Sequence, residues 1–340
     1  MTPYGSRVLY MVSDAVDEML ITARSMKKMY GPHLALDDIS LDIPHGAIGI
    51  LGPNGAGKST FFKCLLGLIK TTSGSGRVLG HDIRTEGELI RSKIGYMPEY
   101  DSLDPGLTAI DQVRYSGELL GMNPDAATQR AHEVLQYVGL KDQRYRKIET
   151  FSTGMKQAAK LACALIHDPE ILICDEPTNG LDQRAREFML QTLRKTVMEG
   201  GRSVLMSSHV MDDVETVCDR IVMIHKGKIV VHRSIHDMVK QVEKEIEISV
   251  WGGASQMESE LSSRGLSVRR MGRNMRVTKI DDDTYTEILS SAAKAGVQVR
   301  KMTEYEPDLE DIFLLIMDKL GEEVRETGEL MTSDHTGEGL

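Results

Sequence analysis

The sequence predicts an α/β domain with an inserted helical subdomain, followed by a small α+β domain. Three observations support this organisation. Short apolar segments alternate with helical patterns over about residues 20–235, which is typical of an α/β domain. A glycine-rich loop follows the first of the apolar strands. After about residue 243, strand and helix patterns follow the order β-α-β-β-α-β, which is that of a ferredoxin-like domain.

Short apolar segments of the first domain are predicted to be strands. Residues 47–51, 171–174 and 204–207 are runs of strand length. Two further runs flank His225-Lys226-Gly227, at residues 221–224 and 228–231. Because a short glycine-containing turn between two such runs is a hairpin signal, we expect these two runs to pair.

The middle of the first domain shows no clear strand pattern. Over about residues 103–167, helical stretches are interrupted by glycine and proline, at Gly106, Gly121, Pro124 and Gly154. We therefore expect a helical subdomain inserted into the α/β core.

The second domain is predicted over residues 243–320. Alternating apolar residues place its strands near 246–250, 266–268, 275–277 and 297–299. Apolar residues at helical spacing over 285–293 predict a helix, and a stripe over 309–320 predicts a closing helix. The flanking segments 1–19 and 321–340 are expected to be tails, and the second of them is acidic and non-periodic.

Composition restricts the function. The formal net charge of −10 lacks the basic balance of most nucleic-acid-binding proteins, so no nucleic-acid partner is expected. No apolar run approaches the ~20 residues of a membrane helix, so any role at a membrane needs a partner that crosses it. Scattered cysteines without metal-ligand spacing predict free thiols, mostly buried, at Cys64, Cys163, Cys174 and Cys218.

The loop after residues 47–51 matches the phosphate-binding pattern Gly-x4-Gly-Lys-Ser and opens a helix. Glycines let the backbone approach phosphate oxygens closely, and the helix N-terminus supplies positive partial charge. Lys58 is expected to reach the β- and γ-phosphates, and the Ser59 hydroxyl to hold Mg²⁺. The predicted phosphate-binding residues are Gly52, Pro53, Asn54, Gly55, Ala56, Gly57, Lys58, Ser59 and Thr60.

Two carboxylates end the apolar run at residues 171–174. Ligands of α/β sheets bind at the carboxyl ends of strands, so Asp175 and Glu176 are expected beside the phosphate loop. Asp175 would position Mg²⁺, and Glu176 would polarise the attacking water as a general base. An N-cap cluster before the next helix would explain Asp175 alone, but it explains the pair poorly.

These residues resemble the ATP-binding-cassette (ABC) ATPases over about residues 21–235. Each element alone is a weak signal, but six of them occur in the order of that family. They are Tyr30 in Lys28-Met-Tyr-Gly31, the P-loop at 52–60, a Q-loop Ile94-Gly-Tyr-Met-Pro-Glu99, a signature Phe151-Ser-Thr-Gly-Met155, Asp175-Glu176-Pro-Thr-Asn-Gly-Leu-Asp182, and His209 in Met206-Ser-Ser-His209. The resemblance implies a P-loop NTPase fold of the ABC ATPase type.

The resemblance also implies that two cassettes pair head to tail. Ser152 and Gly154 of one chain would then cap the γ-phosphate held by the other, through a helix that begins at Met155. Asp182 would communicate across that interface, and ATP would shift the population from open to closed dimers.

Two further roles follow from the same resemblance. Tyr30 would stack on adenine. His209 would hydrogen-bond the γ-phosphate and orient Glu176 and the water. The catalytic group implied by the family is therefore Glu176, His209 and Lys58, with ATP and Mg²⁺ bound.

The chain departs from the common family pattern at two positions. Glu99 stands where most cassettes carry glutamine, and it is also expected to ligate Mg²⁺. Thr153 stands where a glycine is usual. Both departures resemble the branch that exports drugs, antibiotics, lipids or polysaccharides, as do Met155-Lys-Gln157 and residues 306–313. The resemblance therefore implies the cytoplasmic ATP-binding subunit of an exporter, bound to a separate multi-span permease and to a second ATP-binding subunit.

Two other interpretations stay open. One is an ABC ATPase without transport that acts on ribosomes or DNA, although the single cassette and the absence of long heptads argue against it. The other is a degenerate cassette that binds ATP and barely hydrolyses it. Retention of Lys58, Asp175, Glu176 and His209 argues against the second. A homodimer and a pair of different cassettes are not distinguished.

Overall fold

The structure is a computed structural model that describes residues 19–241, 244–272, 274–281, 283–305, 309 and 311–313. It divides into two compact units, residues 1–232 and 233–340. Nearly all of the predicted N-terminal tail, most of the closing helix and the acidic tail lie outside the described residues.

Strands and helices alternate through the first unit. Strands β1–β10 are Ile21–Tyr30, His33–Ile43, Ala47–Leu51, Ser73–Val78, His81–Asp82, Ile94–Met97, Ile171–Asp175, Ser203–Ser208, Arg220–His225 and Lys228–Ser234. Helices α1–α7 are Lys58–Leu65, Gly87–Lys93, Ala109–Leu119, Pro124–Tyr137, Thr153–Leu165, Gln183–Met198 and Met211–Val217. The strands predicted at residues 47–51, 171–174 and 204–207 are confirmed as β3, β7 and β8.

A six-stranded sheet with the order β10-β9-β3-β8-β7-β6 forms the centre of this unit. Strands β3, β7 and β8 are buried along their whole length, as expected for parallel strands covered on both faces. The predicted hairpin is also confirmed: β9 and β10 are neighbours, and their two-residue turn has positive φ at Lys226 (46°) and Gly227 (78°).

A second sheet of four strands, in the order β2-β1-β4-β5, is antiparallel. A shared core joins it to helix α1 and to the six-stranded sheet. Phe61 and Phe62 of α1 are fully buried in this core, and each large apolar side chain buried there contributes roughly 1.5–3 kcal/mol. The helix ends at Leu65, so Ile69 packs against the core from beyond the helix.

Between residues 103 and 167 the structure has helices α3, α4 and α5 and two short 3₁₀ turns, Lys141–Tyr145 and Ile148–Thr150. Side chains cap all three α-helices at their N-termini: Thr108, Asn123 and Ser152. The expected helix start at Met155 is wrong. Helix α5 begins at Thr153, because the Ser152 hydroxyl accepts a hydrogen bond from the Met155 amide (3.3 Å) and thereby acts as the N-cap.

The second unit has the predicted β-α-β-β-α-β order. Helix α8 is Ile235–Gln241, strands β11–β14 are Glu245–Trp251, Val268–Met271, Asn274–Thr278 and Gln298–Tyr305, and helices α9 and α10 are Ala254–Ser263 and Thr284–Ala295. The sheet order is β12-β13-β11-β14, and every pairing is antiparallel. Leu266, expected in a strand, lies two residues before β12 and is buried in the core of this unit.

The four cysteines are free, as predicted. Burial raises the pKa of the Cys64 thiol to about 11, and it also raises the pKa values of Cys174 and Cys218. These thiols are therefore protonated at neutral pH. In the part of the chain that the structure describes, no helix is both long enough and apolar enough to cross a membrane.

Candidate active site

Three neighbouring parallel strands deliver the candidate catalytic residues to one edge of the sheet. Strand β8 lies between β3 and β7, and the registers pair Leu51 with Ser208 and Ser207 with Asp175. The phosphate loop after β3, the carboxylates at the end of β7 and His209 after β8 therefore begin at the same level of the sheet. This is the edge at which parallel α/β sheets bind ligands.

The phosphate loop requires glycine at two positions. Gly52 has φ 153°, and a Cβ there would lie 2.2 Å from the carbonyl oxygen of Ile224. Gly57 has φ 112°, and a Cβ there would lie 2.6 Å from the carbonyl oxygen of Ala35. Gly57 is also the N-cap of α1, so the first turn of that helix opens directly onto the loop.

Lys58 is the first residue of α1, and its side chain folds back towards the start of the phosphate loop. Its ammonium donates a hydrogen bond to the Gly52 carbonyl (2.7 Å) and lies 3.4 Å from Glu176 Oε1. Both side chains are more than nine-tenths buried, which makes this an ion pair shielded from water. The cation therefore already lies between the phosphate loop and the carboxylate.

Glu176 adopts an uncommon backbone conformation, with φ 50°. Its amide donates to Ser207 Oγ (2.9 Å), and its Oε2 lies 2.8 Å from His209 Nδ1. Because an ionised carboxylate can only accept, the imidazole donates through Nδ1. The other oxygen, Oε1, is buried and accepts no hydrogen bond. A buried oxygen of this kind is free to accept a proton or a hydrogen bond from water.

Asp175 is held by the neighbouring strand. The Ser207 hydroxyl donates to Asp175 Oδ1 (2.6 Å), and both side chains are buried. Ser207 thus contacts both consecutive acidic residues, through the side chain of one and the amide of the other. This contact fixes the carboxylate orientation at the strand end.

A cavity of about 330 Å³ unites most of the predicted site. Tyr30 lies at its mouth with 45% of its surface exposed, and the Lys28 ammonium stands 4.9 Å from the ring centroid. The predicted residues that line the cavity are Tyr30, Pro53, Asn54, Gly55, Ala56, Gly57, Lys58, Ser59, Thr60, Glu99, Asp175 and Glu176. Gly52 and His209 do not line the cavity. Gly52 accepts a hydrogen bond from Lys58, and His209 contacts Glu176, and both of these partners line it.

The remaining predicted residues line a different cavity, of about 760 Å³. Ser152, Gly154 and Asp182 lie there, and the two cavities share no lining residue. Asp182 is the N-cap of α6, since it accepts a hydrogen bond from the Ala185 amide (2.9 Å). Within one chain, the structure therefore does not bring the signature to the phosphate loop.

Oxygen donors suited to Mg²⁺ are present in the smaller cavity: the Ser59 hydroxyl and the carboxylates of Asp175 and Glu99. Among the described residues, no group of three or more His, Cys, Asp and Glu side chains could hold a metal ion by itself. Mg²⁺ commonly takes only one or two protein ligands and completes its shell with phosphates and water. The residues present fit that type of site.

Sequence reasoning missed several buried polar residues around the site. Ser207 is one. Another is Asp213, which is fully buried and accepts hydrogen bonds from Thr178 Oγ1 and Arg186 Nε, both at 2.5 Å. This network joins the segment after Glu176 to helices α6 and α7. The available signal was a polar residue next to apolar ones, as at Ser207 directly after the apolar residues 204–206 of β8 and at Lys160 between apolar neighbours in α5.

Comparisons with known proteins agree with this geometry. Residues 36–179 match the family model described as ABC transporter. The linearmycin resistance ATP-binding protein LnrL of Bacillus subtilis is 35% identical over 303 residues, which cover 87% of this chain and 97% of that protein. The daunorubicin/doxorubicin resistance ATP-binding protein DrrA of Streptomyces peucetius is 30% identical over 303 residues, or 87% of this chain and 92% of that protein.

A third relative, the Nod factor export ATP-binding protein I of Sinorhizobium fredii, is 31% identical and covers 89% of this chain and 87% of that protein. Among solved structures, a dimeric post-hydrolysis state of the ATP-binding cassette MJ0796 bound to ADP and Pi matches 63% of this chain and 98% of its own, with a TM-score of 0.59 and 26% identity. The phosphate loop, the buried carboxylates and these relatives lead to one conclusion: the chain belongs to the ABC transporter family as one of its ATP-binding proteins, and it is an ATPase.

Proposed function

We propose that this ATPase energises an exporter, and that Glu176 is the general base of its reaction. The observation that carries the proposal is the buried carboxylate of Glu176, held between Lys58 and His209 at the phosphate loop. The exporter assignment is supported by relatives named for Nod factor export and for resistance to linearmycin and daunorubicin.

ATP binding is assigned to the smaller cavity. Tyr30 stacks on adenine at the mouth of the cavity, where 45% of its surface is exposed. The backbone N–H groups that follow Pro53 in the loop and the N-terminus of α1 surround the phosphates, and Lys58 pairs with the β- and γ-phosphate oxygens. To do so, the Lys58 ammonium exchanges its present bond to the Gly52 carbonyl for phosphate.

Mg²⁺ is proposed to be held by Ser59, Asp175 and Glu99, together with phosphate oxygens and water. When bound, it neutralises charge on the β- and γ-phosphates. Asp175 is oriented for this purpose by the hydroxyl of Ser207. Glu99 enters from the Q-loop, the segment Ile94–Glu99.

The hydrolytic step is proposed to begin at Glu176. Its Oε1 takes a proton from water as the water oxygen bonds to the γ-phosphorus, and the bond between that phosphorus and the β–γ bridging oxygen breaks. The products are ADP and phosphate. His209 holds the other carboxylate oxygen, Oε2, so Oε1 remains directed at the water. Nε2 can donate to a γ-phosphate oxygen only when both ring nitrogens carry a proton, because Nδ1–H already bonds Glu176.

Two chains are proposed to form a homodimer, with each ATP bound between the P-loop of one chain and the signature of the other. Separation of Ser152 and Gly154 from the phosphate cavity of their own chain supports a site completed by a second copy. The capped N-terminus of α5 would then point positive partial charge at the partner's γ-phosphate. Asp182, in the same cavity, would transmit the state of one site to the other.

A multi-span permease on a separate chain is the second proposed partner. It would hold this subunit at the cytoplasmic face of the membrane and carry the transported molecule. The Q-loop and the helical subdomain are proposed to contact the permease. Exposed apolar side chains on and beside α3, at Tyr115, Leu119 and Leu120, offer surface for that contact.

The test is a pull-down with the tagged Glu176→Gln variant. Native membranes extracted in mild detergent with Mg-ATP should yield a stoichiometric multi-span membrane protein, since ATP that is not hydrolysed keeps the cassettes closed. Lys58→Ala serves as the control, because it should lose ATP and therefore the ATP-dependent part of the recovery. Recovery of ribosomes, or of soluble proteins alone, would contradict the exporter proposal and leave the ATPase intact.

A further inference from the structure

Helix α5 carries a lysine whose ammonium is buried against the Q-loop. Lys160 is only 5% exposed. Its Nζ donates to three consecutive carbonyl oxygens, those of Pro98 (2.6 Å), Glu99 (3.0 Å) and Tyr100 (3.2 Å). A lysine ammonium has three N–H donors, and all three are used by the carbonyls of residues 98–100.

Burying this cation is costly. Burial lowers the pKa of Lys160, and the negative charges of Asp101 and Glu99 oppose that shift from a distance. Among the ion pairs of the described residues, none includes Lys160, so its direct polar contacts are the three carbonyl bonds. Truncating the ammonium would remove all three bonds at once.

Only the Pro98 carbonyl is bonded in a buried position. The bonds to Glu99 and Tyr100 are partly buried, and water could satisfy those two carbonyls at little cost. What water cannot do is hold the segment at a fixed place relative to α5. The arrangement therefore controls position more than it satisfies polar groups.

The segment and the helix each belong to one of the two cavities. Glu99 lines the ATP cavity, and the N-cap of α5, Ser152, lines the signature cavity. One turn before Lys160, the buried Gln157 of the same helix donates to the Asn179 carbonyl (3.3 Å), three residues after Glu176. Helix α5 thus holds the segments that carry Glu99 and Glu176 from one side.

We propose that Lys160 is a positioning residue for ATP hydrolysis. It fastens the backbone of residues 98–100 to α5 and thereby sets the distance of the Glu99 carboxylate from the phosphate site. This inference rests on the role proposed above for Glu99. It also means that a movement of the signature helix is transmitted to Glu99 of the same chain through three hydrogen bonds.

A kinetic cycle on the full-length chain tests the proposal. Lys160→Met keeps the length of the side chain and removes the donors. We expect kcat to fall about tenfold, because misplacing a reacting group by ~1 Å is costly, while KM for ATP stays within about twofold. In a Glu99→Ala background, Lys160→Met should lower kcat by less than about twofold, since the residue through which it acts is absent.

Lys156→Met is the matched control. Lys156 lies on the same helix, but its ammonium is paired with the Asp101 side chain at the surface (3.1 Å) and makes no hydrogen bond to residues 98–100 in the described part of the chain. Its removal deletes the same charge and leaves the three carbonyl bonds in place. We expect its kcat to stay within about twofold of wild type, as is usual for surface ion pairs.

Limited proteolysis supplies a readout that does not depend on turnover. Chymotrypsin should cleave after Tyr100 several times faster in Lys160→Met, because that carbonyl has lost its anchor. Cleavage after the equally exposed Tyr145 should keep its wild-type rate. Equal acceleration at both tyrosines would show a general loss of stability and would overturn the proposal.

Two kinetic results would also overturn it: the same loss of kcat from Lys160→Met in both backgrounds, or no effect of Glu99→Ala. Glu176→Gln in the same assay reports on the ATPase itself, so a failure of that function is recognised separately. If Lys160→Met lacks the native circular dichroism spectrum, Lys160→Gln, which retains a donor, replaces it in the cycle. Its effect on kcat should likewise be smaller in the Glu99→Ala background than in wild type.

Discussion

His209 Nδ1 lies 2.8 Å from Glu176 Oε2, although the two residues are 33 positions apart in the chain. The Glu176 side chain is 6% exposed, whereas that of His209 is 54% exposed. The imidazole therefore reaches the buried carboxylate from the open side of the site. It holds one carboxylate oxygen and leaves the other beside Lys58.

Removing this imidazole should slow hydrolysis without preventing ATP binding. We expect His209→Ala to lower kcat at least about tenfold, because Glu176 loses the hydrogen bond that orients it. The dissociation constant for ATP, measured by calorimetry, should change less than about threefold, since the phosphate loop and Lys58, which are proposed to make most of the phosphate contacts, are unchanged. A wild-type kcat in this variant would remove His209 from the mechanism.

Ser207→Ala should lower the apparent affinity for Mg²⁺ in the ATPase reaction. The substitution frees the Asp175 carboxylate and leaves the Glu176 amide without its acceptor. Loss of such an orienting contact typically costs about tenfold in metal affinity, so the Mg²⁺ concentration for half-maximal ATPase activity should rise by about that factor. Ser208→Ala is the control, since the Ser208 hydroxyl accepts a hydrogen bond only from the Val210 amide in the described network, and its loss should leave the Mg²⁺ dependence unchanged.

The Lys58–Glu176 pair should contribute to the stability of the nucleotide-free chain. Lys58→Met leaves a buried carboxylate without its cation, a loss of about 3 kcal/mol that corresponds to a Tm lower by about 5–10 °C. Lys58→Met/Glu176→Gln should recover part of that Tm, because the uncompensated charge is gone. Additive losses of Tm in the double variant would show that the two groups do not interact.

Gly52→Ala should disrupt the phosphate loop through a backbone collision. The new Cβ would lie 2.2 Å from the Ile224 carbonyl oxygen, so the loop must move away from β9, and ATP affinity should fall at least about tenfold. Gly121→Ala is matched in having positive φ (86°) with no heavy atom within 4 Å. It should cost only about 1–2 kcal/mol of stability and leave ATP binding intact.

Much of the fold was predictable because local patterns were strong. The apolar run at residues 47–51 followed by the glycine-rich loop predicted a buried strand and a helix start, and both are present. The β-α-β-β-α-β order of the second unit followed in the same way from alternation and helical spacing.

Features that depend on strand order were not predictable. Ser207 reaches Asp175 only because β8 lies beside β7 in a fixed register, and nothing local to either strand encodes that pairing. Lys160 is similar, since its three acceptors lie about 60 positions earlier in the chain.

At the signature, Thr153 and Gly154 are weak helix formers, but capping by Ser152 outweighs that weakness and starts α5 two residues earlier than expected.

The most direct test of the account is single-turnover hydrolysis of ATP by wild type and by Glu176→Gln at equal, saturating occupancy. The amide cannot accept the proton of water, yet it keeps the shape of the side chain and removes no group that binds phosphate. We expect the rate constant to fall at least about 100-fold while ATP remains bound. Equal rates in the two proteins would contradict the assignment of Glu176 as the general base.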